Sequence, residues 1–149
     1  MEVAQDAASV IPELPLVLAP LPRRVVSLIY EALLLAALLW CAALLFGIIE
    51  SRLTPSHART VFQAYVVLIL GAYFVCQWTR GGQTLPMKTW RMRLVKRNGK
   101  PVDARVAWVR YLAGLVGLLL FGVGFLWALF DPERQFLHDR LAGTRIVRC

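Results

Sequence analysis

Three residues near the start of the chain carry the first chemistry that spacing makes legible. Arg24, Ser27 and Glu31 stand at i, i+3 and i+7, so in a helix they share one face. Glu31 is the one acid in an apolar run over residues 25–49, with Arg23 and Arg24 at its mouth. A carboxylate inside such a run is costly unless it is paired, protonated or wet, so it marks a site for proton or cation chemistry. Arg24 and Glu31 are about 10 Å apart along a helix axis, too far for an unbridged ion pair. Near the other end, His138 and Asp139 are adjacent. On a helix they point about 100° apart and form no dyad. Asp139 is suited to cap a local helix, or to pair with Lys88 or with an arginine of the basic segment that follows the second apolar block.

Other constellations fail on inspection. Residues 82–89 (GQTLPMKT) imitate a phosphate loop, but Met87 stands where a glycine should precede Lys88 and Pro86 removes an amide. His57 has no second ligand beside it. Cys41, Cys76 and Cys149 are odd in number and scattered, which argues against a disulfide framework and against a metal site; Cys41 and Cys76 read as small buried apolar side chains. No Ser/His/Asp set has workable spacing. The expectation is a non-enzyme with no cofactor and no metal.

The elements that must position these residues are membrane helices. Hydrophobic residues make up 58% of the 149 and charged residues 17%, and the apolar residues are blocked into runs. Helix one is expected over about 24–49, helix two over about 61–78 and a third block over about 106–130, with residues 50–60 as a polar loop. Ala43 and Gly47 make a small-xxx-small pair, a weak sign of helix contact, and Trp78 suits an interfacial belt. Residues 1–22, with four prolines and three acids, lack the order of a secretory signal and read as a flexible, partly extended tail with Pro22 just ahead of helix one. The net charge of +8 goes with topology and anionic lipid headgroups rather than nucleic acid.

Residues 79–110 hold nine Lys and Arg against one acid, Asp103. The positive-inside rule puts this segment, and hence the N-terminal tail, in the cytoplasm. Residues 90–96 alternate and lead into Asn98-Gly99, which predicts a short strand and turn; residues 144–147 are a second strand able to pair with it. The third block has two readings. A single span leaves the C-terminus outside; a broken helical hairpin turning at 122–124 leaves it inside, and the arginines of 131–149 favour the hairpin. The fold class is therefore an all-α membrane protein with three transmembrane segments, the third read as a broken hairpin, and a short cytoplasmic β-pair at 90–96 and 144–147.

Several segments together resemble the RDD family of bacterial membrane proteins, named for one arginine and two aspartates. They are Arg23-Arg24 leading into helix one, Gly82-Gln83-Thr84 with Lys88, Leu94-Val95 with Asn98-Gly99, and the ending Leu137-His138-Asp139 to Ala142-Gly143-Thr144. The resemblance covers about residues 23–148. It assigns the signature charges to Arg24, Glu31 (where relatives have aspartate) and Asp139, and implies that Gln83, Thr84, Lys88 and His138 line the same site near the cytoplasmic end of helix one. It also implies a bacterial inner-membrane location, with the N-terminus cytoplasmic by the charge bias above. Two readings of the site stay open. In one, acids on helix one and the tail clasp the cationic loop, and the protein is a scaffold, assembly or lipid-contact module. In the other, Glu31 is a protonatable or cation-coordinating group of a small-ion or proton transport system. The expected partners are membrane lipids and a second copy or another membrane protein, with no nucleic acid.

Overall fold

Apolar runs long enough to cross hydrocarbon become helices because the backbone must satisfy its own hydrogen bonds there. The computed structural model describes residues 17–50 and 54–149. Helix α1 is Leu21–Glu50 and helix α2 is Pro55–Gly81; both are long and apolar enough to span a membrane. Pro22 lies in the first turn of α1 rather than ahead of it, since that position lacks an intrahelical N–H partner anyway. Helix α2 likewise starts at Pro55, with Thr54 extended before it, so it begins a turn and a half earlier than the polar residues 55–60 suggested. His57 is thereby an exposed first-turn residue hydrogen bonded to Thr54 Oγ1 at 2.5 Å. The expected tail at 1–16 and the loop at 51–53 lie outside the described residues.

After α2 come the short helix α3 (Leu85–Thr89), strand β1 (Met92–Lys96), helix α4 (Ala104–Leu119), the one-turn helix α5 (Val123–Leu126) with a 3-10 turn at Trp127–Leu129, helix α6 (Leu137–Ala142) and strand β2 (Thr144–Arg148). Helix α4 and the segment Val123–Leu129 meet at 106°, so the last apolar block is a third span only if the bent pair is counted as one. The chain reverses at Phe121 and Gly122, both in the left-handed region. Close approach of the two limbs depends on glycine: the Gly124 Cα would lie 3.2 Å from a Cβ placed on Gly117.

Strands β1 and β2 pair antiparallel, with Leu94 opposite Ile146. Both outer edges of this ribbon are covered, which removes the unpaired backbone that an edge strand exposes. On one side Leu94 N donates to Gly82 O and Gln83 Nε2 to Met92 O. On the other Ala19 N donates to Ile146 O and Arg148 N to Val17 O. Residues 17–19, the residues following α2, and both strands thus sit together. Met92, Leu94, Ile146 and Ala19 join Trp78, Met87, Val102, Ala107 and Tyr111 in the buried core. Gly82 ends α2 with φ 67, and a Cβ there would lie 2.7 Å from Leu94 O, so glycine is required on two counts.

Three expectations are corrected. Trp78 is buried rather than interfacial, because the Arg110 guanidinium lies 4.3 Å over its ring and supplies a cation–π partner inside the protein. Cys41 and Cys76 are exposed free thiols on the outer faces of α1 and α2, not buried. Ala43 and Gly47 are exposed, and a Cβ placed on Gly47 would meet nothing within 4 Å; the small-residue contact forms between Gly117 and Gly124 instead, where a hairpin needs it.

Candidate functional site

Helical spacing brings Arg24, Ser27 and Glu31 onto one buried face of α1, at 3%, 4% and 6% exposure. Glu31 is met by hydroxyls. Tyr73 OH donates to Oε1 at 2.7 Å from α2, and Thr84 Oγ1 donates to Oε2 at 2.5 Å from the bend before α3. These hydroxyls give each Glu31 oxygen a hydrogen-bond partner, and no cation lies within ion-pair distance of it among the described residues. Arg24 is less well provided for: Nη1 donates to the Arg134 carbonyl at 3.1 Å, Nε has no partner, and no carboxylate lies within ion-pair distance among the described residues.

Asp139 is fully buried and is held by Arg110, whose Nε and Nη2 reach Oδ1 at 2.9 and 2.6 Å. Arg110, the last arginine of the basic segment, comes from the second turn of α4 and is itself buried. Thr144 Oγ1 adds a longer contact to the same oxygen at 3.5 Å, while Oδ2 is unpartnered. His138 Nε2 lies 3.9 Å from Asp139 Oδ1, beyond hydrogen-bond reach. Its ring stacks on Phe136 and meets Phe125 edge-on. Burial pushes the His138 pKa down to about 4, against the pull of Asp139; the ring is neutral at pH 7, with Nδ1 buried and unpaired.

The stretch between the hairpin and α6 is tied by one carboxylate. Asp131 Oδ2 accepts from the backbone N–H groups of Glu133 and Gln135, and both oxygens take Arg140, at 2.7 and 3.1 Å. Arg140 and these amides hold the Asp131 carboxyl below the usual carboxylate range. This knot sets the Arg134 carbonyl where Arg24 meets it.

Between α1, α2, α4 and α5 lies a half-open cleft of about 600 Å³, within the range of ligand pockets. Its walls are apolar, with Val25, Leu28, Ala32 and Leu35 along α1 and Tyr111, Leu115 and Leu118 along α4. Arg24, Ser27, Glu31, Thr84, Arg110 and His138 gather on its lining. Of the residues singled out from sequence, Arg24, Glu31, Thr84 and His138 therefore share the cleft, and Asp139 sits behind Arg110. Gln83 and Lys88 do not share it. Gln83 bonds Met92 O and Cys149 Sγ, and with Lys88, Arg80 and Tyr73 it lines a separate hollow; Lys88 is exposed and does not reach Asp139. Tyr73 and the Asp131–Arg140 pair were missed. Tyr73 had no signal inside an apolar helix, whereas an acid and an arginine nine residues apart around a loop were open to notice. Among the described residues no three His, Cys, Asp or Glu cluster as a metal site would.

Two spanning-length helices, a bent apolar pair and buried charges on the lining of a half-open apolar cleft define a helical membrane protein with a buried polar site. The family model described as "RDD family" matches residues 18–143. The chain belongs to the RDD family. It is also 31% identical over 84 residues to the uncharacterized protein RP437 of Rickettsia prowazekii (strain Madrid E). That alignment covers 55% of this chain and 46% of the relative, so the chain spans less than half of that protein's length. No solved structure matches.

Proposed function

We propose that this RDD-family protein is a lipid-contact module of the bacterial inner membrane, in which the cleft takes up a membrane amphiphile and the charges at its base hold the helices and the polar end together. The observation that carries this reading is the cleft itself: half-open, apolar-walled, and with Arg24, Glu31, Thr84 and Arg110 gathered on its lining. The positive-inside bias supports a cytoplasmic location for residues 79–105, and pairing of residues 17–19 with β2, and of β2 with β1, supports the same side for all three. On that topology α1 and α2 are the two spans and α4–α5 is a re-entrant hairpin. The reading includes no catalysis and no cofactor, and a second copy or another membrane protein as partner.

A second reading, transport of a proton or small cation through Glu31, is favoured by the burial of that carboxylate on the cleft lining. Vesicles carrying the purified protein and Glu31→Gln separate the two. The lipid-contact reading expects proton and sodium flux no greater than in protein-free vesicles for both forms, with cleft labelling by a photoreactive acyl lipid. Flux that is present in the native protein and absent in a folded Glu31→Gln variant selects transport.

A further inference from the structure

We propose that the cleft is a site for an amphiphile with one acyl chain in the groove and a singly negative head, a phosphodiester or a carboxylate, on Arg24. This rests on the lipid-contact reading and names the ligand's chemistry.

Charge comes first. The lining presents two guanidiniums, Arg24 and Arg110, and one carboxylate, Glu31. Arg110 is already matched by Asp139, which lies outside the lining. Glu31 has a hydroxyl on each oxygen. Arg24 is left, 97% buried, with an unpartnered Nε, only a neutral carbonyl on Nη1, and Asp139 acting on it through space without contact. An unpaired buried guanidinium is strongly disfavoured, and an oxyanion is the partner its forked donors fit. His138 Nδ1, also buried and unpartnered on the lining, offers a second, neutral contact.

Length agrees. Val25, Leu28, Ala32 and Leu35 recur at steps of three and four and form one stripe on α1. From Val25 to Leu35 the helix rises about 15 Å, half of the roughly 30 Å hydrocarbon core, the depth of a single leaflet. Arg24 stands at the end of that stripe nearest the basic segments. The head therefore lies at the cytoplasmic interface and the tail runs up one leaflet against α4, with Leu118 and Leu126 on the lining beside it.

The test is native mass spectrometry of the full chain in a neutral detergent, with equal amounts of phosphatidylglycerol and of diacylglycerol, which has no oxyanion, on matched chains, and separately with oleate. The expected result is preferential retention of phosphatidylglycerol over diacylglycerol by about tenfold, the scale of one charge-assisted hydrogen bond. Arg24→Gln abolishes the preference and Arg24→Lys restores part of it. Retention of oleate in place of phosphatidylglycerol identifies a free fatty acid as the source of the same head chemistry. Ala32→Trp, which fills the groove without touching a charge, removes every adduct. Equal retention of phosphatidylglycerol and diacylglycerol, all lost in Ala32→Trp, overturns the anionic head and leaves the lipid-contact reading standing. Adducts that survive Ala32→Trp overturn both.

Discussion

Replacing Asp139 by Asn tests how the buried charges are held. Asp139 is fully buried, Arg110 is nearly so, and they meet at 2.6 and 2.9 Å. Removing one partner of such a pair costs about 3–5 kcal/mol, because the remaining charge is stranded. Two features reduce the loss: asparagine keeps an oxygen for one guanidinium N–H, and the Trp78 face 4.3 Å away supplies about 0.5–2 kcal/mol of cation–π attraction. The net expectation is about 3 kcal/mol, or roughly 6–12 °C in Tm for a chain of this size. Thermal unfolding in detergent, followed by tryptophan fluorescence, reads it. Arg110→Met combined with Asp139→Leu removes both charges and is expected to recover most of the loss, since a buried pair and well-packed apolar residues are close in stability. A Tm for Asp139→Asn within about 2 °C of the native protein, or a double variant as unstable as the single one, would refute the reasoning.

Other predictions follow from neighbouring geometry. His138 has its folded pKa depressed to about 4, below the unfolded value of about 6.5; the unfolded chain binds the extra proton between these values, so stability falls as pH drops through that window, by about 3 kcal/mol at most. His138→Phe, which keeps the aromatic stack, is expected to flatten a pH–Tm profile between 7 and 4. Asp131→Asn is expected to lower Tm at pH 7 and to have no effect below the folded pKa of Asp131, because a depressed carboxyl contributes above its unfolded value near 3.9 and loses that contribution as the acid range is entered. Gly82→Ala places a Cβ against Leu94 O at φ 67 and is expected to cost about 1–3 kcal/mol, read by the same melting assay. Cys149 is expected to react with a membrane-impermeant thiol reagent only after cells are opened; labelling in intact cells would exclude a re-entrant α4–α5.

Much of this arrangement is legible in residue order because it depends on local periodicity. The common face of Arg24, Ser27 and Glu31 is a property of the helix alone, and the alternation around Met92 and Leu94 marks a strand whichever partner it finds. What the residues could not disclose is tertiary. Trp78 looks interfacial until Arg110, 32 positions later, is known to lie on its ring. Gln83 and Lys88 belong by motif to the same group as Thr84, yet the bend at Gly82 sends Gln83 to the strand edge and Thr84 to Glu31. Tyr73 reads as one more aromatic in an apolar helix, and only the packing of α2 on α1 makes it the donor to Glu31.

The central claim, an acyl chain held in the cleft between α1 and α4, is tested most directly by photocrosslinking with a phosphatidylglycerol that carries a diazirine near its chain terminus, followed by peptide mapping. Label concentrated on Leu35, Leu115 and Leu118 is the expected result. Label spread over the outward residues Leu33, Leu44 and Leu68, with the cleft residues no more marked than these, would contradict it.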